Sequence, residues 1–312
     1  MIFPDIPGTL LLAVAAVYAI LIVASVTVRL LRARRPDADL GELAARVNSW
    51  WVMAAVFTLA ILLNRTLTLV FLGFVSFLAL KEYLSMIPTR RADRRVLFWA
   101  YLAIPVQYYW IASGWYGMFI IFIPVYVFLF LPLRMLLIGQ TERFLFAAGT
   151  LHWGLMITVF GLSHAAYLVV VPQTEVMQAN GPSLLFYLVF LTQFNDVAQY
   201  VWGKLLGKHA VVPTVSPKKT WEGLLGGVAT TVILAALLAP YLTPLSTGMA
   251  LIAGLIIGLG GFVGDVNISA VKRDLGIKDS GSLIPGHGGI LDRIDSLSYT
   301  APLFFHFIRY FY

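Results

Sequence analysis

Cysteine is absent from this 312-residue sequence and charge is scarce, with only 12% of residues Asp, Glu, Lys or Arg. Without cysteine there is no disulfide framework and no thiolate-ligated zinc or iron–sulfur centre. The same absence says little about compartment, because a membrane protein in a reducing cytosol can simply lack the residue. A soluble domain carries about 25% charged residues. Half that fraction, over a chain long enough for two domains, cannot cover a water-facing surface. Hydrophobic residues make up 60%, which excludes a disordered chain. An all-α, polytopic integral membrane protein is expected.

A helix needs about 20 mainly apolar residues to cross the hydrocarbon core. That ruler gives ten runs, near 9–31, 48–63, 66–85, 97–112, 115–138, 145–171, 183–203, 223–243, 248–271 and 296–312. The second, fourth and tenth are short or polar, so nine to ten transmembrane helices are expected. The first run is too long for a signal-peptide core, no basic residue precedes it and arginines follow it. It reads as a retained helix with its N-terminus outside.

Inward loops should collect Lys and Arg, and every second loop does. The first holds Arg29, Arg32, Arg34, Arg35 and Arg46; the third Arg90, Arg91, Arg94 and Arg95; the fifth Arg134 and Arg143. The seventh and ninth hold Lys204, Lys208, Lys218, Lys219, Lys272, Arg273, Lys278 and Arg293, and only Arg65 and Arg309 fall on the other side. The net charge of +7 is therefore mostly an orientation signal, and no nucleic-acid partner is needed to explain it. There is no repeat or low-complexity linker. Residues 1–180 are apolar spans joined by arginine-rich loops, whereas 181–312 add glycine, lysine and intramembrane carboxylates, so chemistry is expected in the second region.

An ionised group inside a membrane span is costly and marks a functional candidate. Asp196, Gln199 and Tyr200 share one face of the seventh run at i, i+3 and i+4, and Asp265, Ser269 and Lys272 share one face of the ninth. The bland alternative is helix-gluing hydrogen bonds, or an Asp265–Lys272 contact that only ties the helix end. Beyond Asp274 the chain turns glycine-rich, with Gly276, Gly281, Gly286, Gly288 and Gly289 beside Pro285 and His287. Glycines let a loop aim several N–H groups at phosphate oxygens, and Lys272, Arg273, Lys278 and Arg293 add positive charge. Asp279, Asp292 and Asp295 would oppose a simple anion site and suggest a divalent cation. Mg²⁺ takes one or two carboxylates plus waters and phosphates, and Asp265 and Asp292 could supply that pair if the loop folds back. A second basic element reads Ser216-Pro217-Lys218-Lys219-Thr220-Trp221-Glu222-Gly223. Its lysines and hydroxyls can bind phosphate, and Trp221 can sit at the bilayer interface or stack on a base; alone, it is equally a topology-setting loop.

Residues 269–295 resemble, position by position, the signature of the phosphatidate cytidylyltransferase (CDP-diacylglycerol synthase) family. The matching positions are Ser269, Lys272-Arg273, Lys278-Asp279, Gly281, His287-Gly288-Gly289 and Asp292-Arg293-Ile294-Asp295. The 216–223 stretch and the Gly264-Asp265 pair also look like family elements, and the resemblance covers about residues 190–302. Two positions depart from the family pattern. Ala198-Gln199-Tyr200 stands where a small residue and alanine usually precede the tyrosine, and Ile268 stands where glutamate usually precedes the signature serine. Both lie near the expected site, so they bear on the lipid substrate more than on the metal and phosphate positions.

The resemblance implies a reaction of CTP with phosphatidate giving CDP-diacylglycerol and pyrophosphate, at the cytoplasmic face of a bacterial inner membrane, in a homodimer. It implies Asp265, Lys272 and Asp292 as catalytic residues, with Asp265 and Asp292 holding Mg²⁺, and leaves room for a second cation. Arg273, Lys278 and Arg293 become phosphate clamps, and Ser216, Lys218, Lys219, Thr220, Ser269, Asp279, His287, Gly288 and Gly289 further substrate contacts. Asp196, Tyr200 and Asp295 are supporting candidates. Competing readings are a CTP-dependent lipid kinase of the polyprenol or phytol type, a paralogue acting on another lipid phosphate, and a cation transporter using Asp196 and Asp265.

Overall fold

The computed structural model describes residues 6–34, 40–88, 94–171, 180–286 and 288–312. Ten helices run through them: α1 (Gly8–Arg34), α2 (Gly41–Leu63), α3 (Arg65–Met86), α4 (Arg94–Ala112), α5 (Tyr116–Leu136), α6 (Phe144–Leu168), α7 (Gly181–Leu206), α8 (Trp221–Leu242), α9 (Thr247–Asp274) and α10 (Leu291–Phe311). Each matches one expected apolar run. Helix starts follow local chemistry. Asn64 accepts from the Leu67 amide at 2.7 Å to open α3, Thr220 caps α8 through the Gly223 amide, and Pro182 enters the first turn of α7, where no amide partner is lost. Short π-helical stretches, Phe122–Val127 in α5 and Met156–Gly161 in α6, interrupt the regular ladder.

Seven helices are long and apolar enough to cross a membrane: α1, α2, α3, α5, α6, α8 and α9. The short second run becomes a full helix of 23 residues, because the residues before 48 continue it. The chain is an all-α polytopic membrane protein. Among the helices that fall short, α7 carries Asp196 and α10 carries Asp292, Arg293 and Asp295, polar residues singled out from sequence. One expectation changes: residues 210–220, read as a basic loop, form an antiparallel hairpin of β1 (Ala210–Val212) and β2 (Ser216–Thr220). Consecutive valines favour extended backbone and Pro213-Thr214 makes the turn.

The core is shared by the helices of both regions. Tyr187, Phe119, Phe304 and Phe305 are fully buried, and the Tyr187 hydroxyl donates to the Ala235 carbonyl at 3.0 Å. Small residues let helices approach closely, as is usual where lipid provides no hydrophobic drive. A Cβ on Gly254 of α9 would lie 2.7 Å from the Val232 Cα of α8. Polar bonds add register: Asn195 of α7 accepts from Thr231 of α8 and donates to the Gly258 carbonyl of α9, while Thr192 and Thr300 join α7 to α10.

The helix ends sort onto two faces. On one, α2 and α3 meet the segment between α9 and α10: Ser49 donates to the Pro285 carbonyl at 2.7 Å, and Glu82 binds the start of α10. The hairpin joins that face through Lys219 and Arg273. On the other, Arg65 donates to the Ala112 carbonyl, Arg309 lies over the Tyr116 ring and the Tyr312 hydroxyl meets the Ser246 amide.

Candidate active site

Two adjoining cavities occupy the face where the signature segment folds back. The first, about 200 Å³, is lined by Gln193, Asp196, Asp265, Lys272, Asp279, Asp292, Arg293 and Asp295. The second, about 180 Å³, shares Asp196 and Asp265 with it and adds Gln199, Tyr200, Lys218, Lys219, Thr220 and Phe262. Three helices deliver the carboxylates: Asp196 from the last turns of α7, Asp265 from α9, and Asp292 and Asp295 from the start of α10.

Each principal carboxylate is held by a lysine from another element. Lys219 of β2 reaches Asp265 Oδ2 at 2.5 Å, and Lys272 of α9 reaches Asp292 Oδ1 at 2.7 Å. Sequence spacing suggested Asp265 with Lys272; that pair is not the one formed. Seven residues along a helix puts two side chains on one face but about 10 Å apart along the axis, whereas the hairpin and α10 bring their groups into direct contact. Lys272 and Asp292 have side chains only 12% and 8% exposed. Removing one member of such a buried pair costs about 3–5 kcal/mol. The Lys219–Asp265 pair is more open to water, at 18% and 27%, so its loss should cost less.

Asp292 also organises the loop before it. Its Oδ2 accepts from the Ser280 amide (3.0 Å), the Ser280 hydroxyl (2.9 Å) and the Gly289 amide (3.2 Å). Gly288 has φ of +78°, and a Cβ there would lie 2.7 Å from Asp292 Oδ2, so a side chain at that position is excluded twice over. Asp265 Oδ1 accepts from Ser269 at 3.2 Å, and Asp196 Oδ1 from Ser296 at 3.0 Å. Asp295 accepts from the Ser296 amide at 2.7 Å.

The other residues singled out from sequence divide into those in the cavities and those beside them. Asp279 and Arg293 line the first, and Lys218, Thr220 and Tyr200 the second. The buried Nε of Arg293 and the Nε2 of Gln199 have no hydrogen-bond partner among the described residues, which leaves donors free toward a ligand. Ser269 touches Asp265, and the Thr220 hydroxyl is committed to the cap of α8. Arg273 instead clasps the Val215 and Ile277 carbonyls, which ties the hairpin to the end of α9. Ser216 pairs with Val212 in the hairpin, Lys278 is exposed, and Ile268 is fully buried in the core. Gly289 is buried beside Asp292, and His287 lies outside the described residues.

Sequence reasoning missed Glu82. Near the end of α3, its Oε2 accepts from the Ile290 and Leu291 amides at 2.7 and 3.2 Å, and its Oε1 accepts from the Ser280 hydroxyl at 2.7 Å. A carboxylate on the first amides of α10 suits the positive end of the helix, and hydrogen bonds to a charged group are worth about 1.5–3 kcal/mol each. Its signal was a lone acid in the third apolar run, where an unpaired charge is not tolerated.

Among the described residues no three His, Cys, Asp or Glu groups converge closely enough to hold a metal ion. The donors lining the first cavity are hard carboxylate oxygens of Asp196, Asp265, Asp279, Asp292 and Asp295 beside cationic side chains, a combination suited to Mg²⁺ carried with a phosphate ligand.

Carboxylates and lysines gathered beside a glycine-rich segment at the ends of apolar helices suit a nucleotidyltransferase. The sequence matches the cytidylyltransferase family over residues 44–311, and the chain belongs to that family. It is 47% identical over 296 residues to the uncharacterized protein YnbB of Escherichia coli K12, covering 95% of this chain and 97% of that protein. It is also similar to the phosphatidate cytidylyltransferases of Haemophilus influenzae, 41% identical over 133 residues, and of Synechocystis sp., 48% over 116 residues. Those two matches cover 41% and 36% of this chain and 46% and 39% of the relatives, so the similarity spans less than half the length of either enzyme. The chain is thus a membrane nucleotidyltransferase with a nucleotide and a lipid substrate.

Proposed function

We propose that the chain catalyses cytidylyl transfer from CTP to phosphatidate, releasing pyrophosphate and forming CDP-diacylglycerol, with Mg²⁺ held by Asp265 and Asp292. The observation that carries this reading is the pair of adjoining cavities, in which two carboxylates and their lysines meet Arg293, Lys218 and Gln199 where apolar helices end. A lipid phosphate can reach that level with its acyl chains in the bilayer, and a nucleotide can reach it from water. The run of basic loops supports a cytoplasmic orientation for this face.

A lipid phosphate oxygen attacks the α-phosphorus of CTP, one new P–O bond forms, and the bond from the α-phosphorus to the β-bridging oxygen breaks, so that pyrophosphate leaves. The lipid phosphate is already anionic at neutral pH and needs no strong general base. When bound, the divalent cation supplies charge neutralisation on the triphosphate. Asp265 and Asp292 each turn one oxygen toward a lysine, and these are the atoms available to the cation. Lys219 and Lys272 are then free to turn toward phosphate oxygens, and Arg293 adds donors from α10. Lys218, Lys219 and Gln199 line the second cavity, which suits the lipid phosphate. Rate enhancement comes from in-line positioning and charge compensation.

The test is product identification with detergent-purified protein, labelled CTP, Mg²⁺ and a panel of phosphorylated lipids. CDP-diacylglycerol with pyrophosphate is expected. A phosphorylated lipid with CDP would replace this reading by a kinase, and a CDP-lipid from another phosphate acceptor would replace the substrate alone.

A further inference from the structure

We infer that Glu82, on a helix outside the signature region, is a positioning residue for the reaction: by fixing Ser280 and the start of α10, it sets where Asp292 presents its lysine-facing oxygen, Oδ1. The inference rests on the cytidylyl-transfer reading for its catalytic meaning, and on contacts alone for its geometry. Asp292 is the second residue of α10. The two amides just before it, Ile290 and Leu291, are both held by Glu82 Oε2. The Ser280 hydroxyl lies 2.7 Å from Glu82 Oε1 and 2.9 Å from Asp292 Oδ2, and it has one hydrogen to donate. It therefore bridges two carboxylates and couples the orientation of one to the presence of the other.

Glycine positions in the loop fit the same contact. A Cβ on Gly281 or on Gly289 would run into the Glu82 carboxylate, and on Gly289 it would also lie 2.5 Å from Ser280 Oγ. Two glycines of the signature are thus the space that Glu82 fills. Ser49 of α2 adds one more hold from the same side, on the Pro285 carbonyl.

The experiment compares wild type, Glu82→Ala, Glu82→Gln, Ser280→Ala and the Glu82→Ala/Ser280→Ala double variant for CDP-lipid formation across a Mg²⁺ titration, with the tryptophan-fluorescence melt of each. Because the chain has no cysteine and Leu283 is 60% exposed, a nitroxide on Leu283→Cys reports loop order without turnover. Glu82→Ala is expected to lower kcat by about a hundredfold, raise the half-saturating Mg²⁺ several-fold and sharpen the nitroxide spectrum. Glu82→Gln keeps an acceptor for the two amides and should recover most of the loop order and part of the rate. The double variant should lose no more than Glu82→Ala. A lower melt with unchanged rate and Mg²⁺ dependence in Glu82→Ala overturns the inference, as do additive losses or an unchanged nitroxide spectrum. If wild type makes no CDP-lipid from any acceptor, the functional reading fails, and the nitroxide spectrum still decides whether Glu82 orders the loop.

Discussion

Replacing Asp292 by asparagine should separate the electrostatic work of that side chain from its shape. The carboxylate accepts from four donors, one of them the Lys272 ammonium, with both members of that pair largely buried. An amide of the same size has one acceptor oxygen. If that oxygen faces Lys272, the NH₂ group meets two amides and a hydroxyl; if it faces the loop, the NH₂ group meets an ammonium. Orphaning one partner of a buried pair costs about 3–5 kcal/mol, and the lower end applies here because both groups line a cavity that water can enter. About 3 kcal/mol expressed in the transition state is roughly a hundredfold in rate, and loss of the cation would add to it. The chain has eight tryptophans and no cysteine, so the melt is read by intrinsic fluorescence, alongside CDP-lipid formation. Asp292→Asn should melt lower and turn over at least about a hundredfold more slowly. Adding Lys272→Met should restore much of the melt, because removing both charges leaves none orphaned, without restoring turnover. A wild-type melt and rate in Asp292→Asn would refute the argument, and so would strictly additive melts in the double variant.

Two further outcomes follow from the site. Chelation of divalent cations should stop turnover while leaving the melt nearly unchanged, because Lys219 and Lys272 already balance the two carboxylates; a large drop in melting temperature would show that the carboxylates depend on a metal for folding. Gln199→Ala removes from the second cavity a side chain whose Nε2 has no hydrogen-bond partner among the described residues and should change the ratio of rates among phosphorylated lipids without moving the half-saturating Mg²⁺; identical lipid preference would remove Gln199 from the substrate pocket.

Helix positions were legible because lipid imposes a length of apolar sequence on each crossing; seven of the ten helices carry that mark in full, and α4, α7 and α10 fall short of it. The hairpin was not, since five residues of β2 that include two lysines give no alternating pattern. Asp265 could be picked out as a costly polar group in an apolar span, and Lys272 and Asp292 from the charged, glycine-rich segment beyond it, but their pairing could not. Helical spacing relates Asp265 to Lys272, while the bonds formed join Asp265 to a lysine 46 positions earlier and Lys272 to an aspartate 20 positions later. Glu82 was the least legible, because its partners lie 198 to 209 residues away. The need for glycine at 281 and 289 could be read from composition, but the side chain they make room for could not.

The contact between Glu82 and the two loop glycines limits how this protein can be recombined. A chimera that joins residues 181–312 to first helices without a carboxylate at the position of Glu82 would carry a notch cut for a group it no longer has. Transplanting the motif therefore means transplanting α3 with it, and the natural unit for engineering a new lipid preference is the whole bundle with its pocket residues exchanged one at a time.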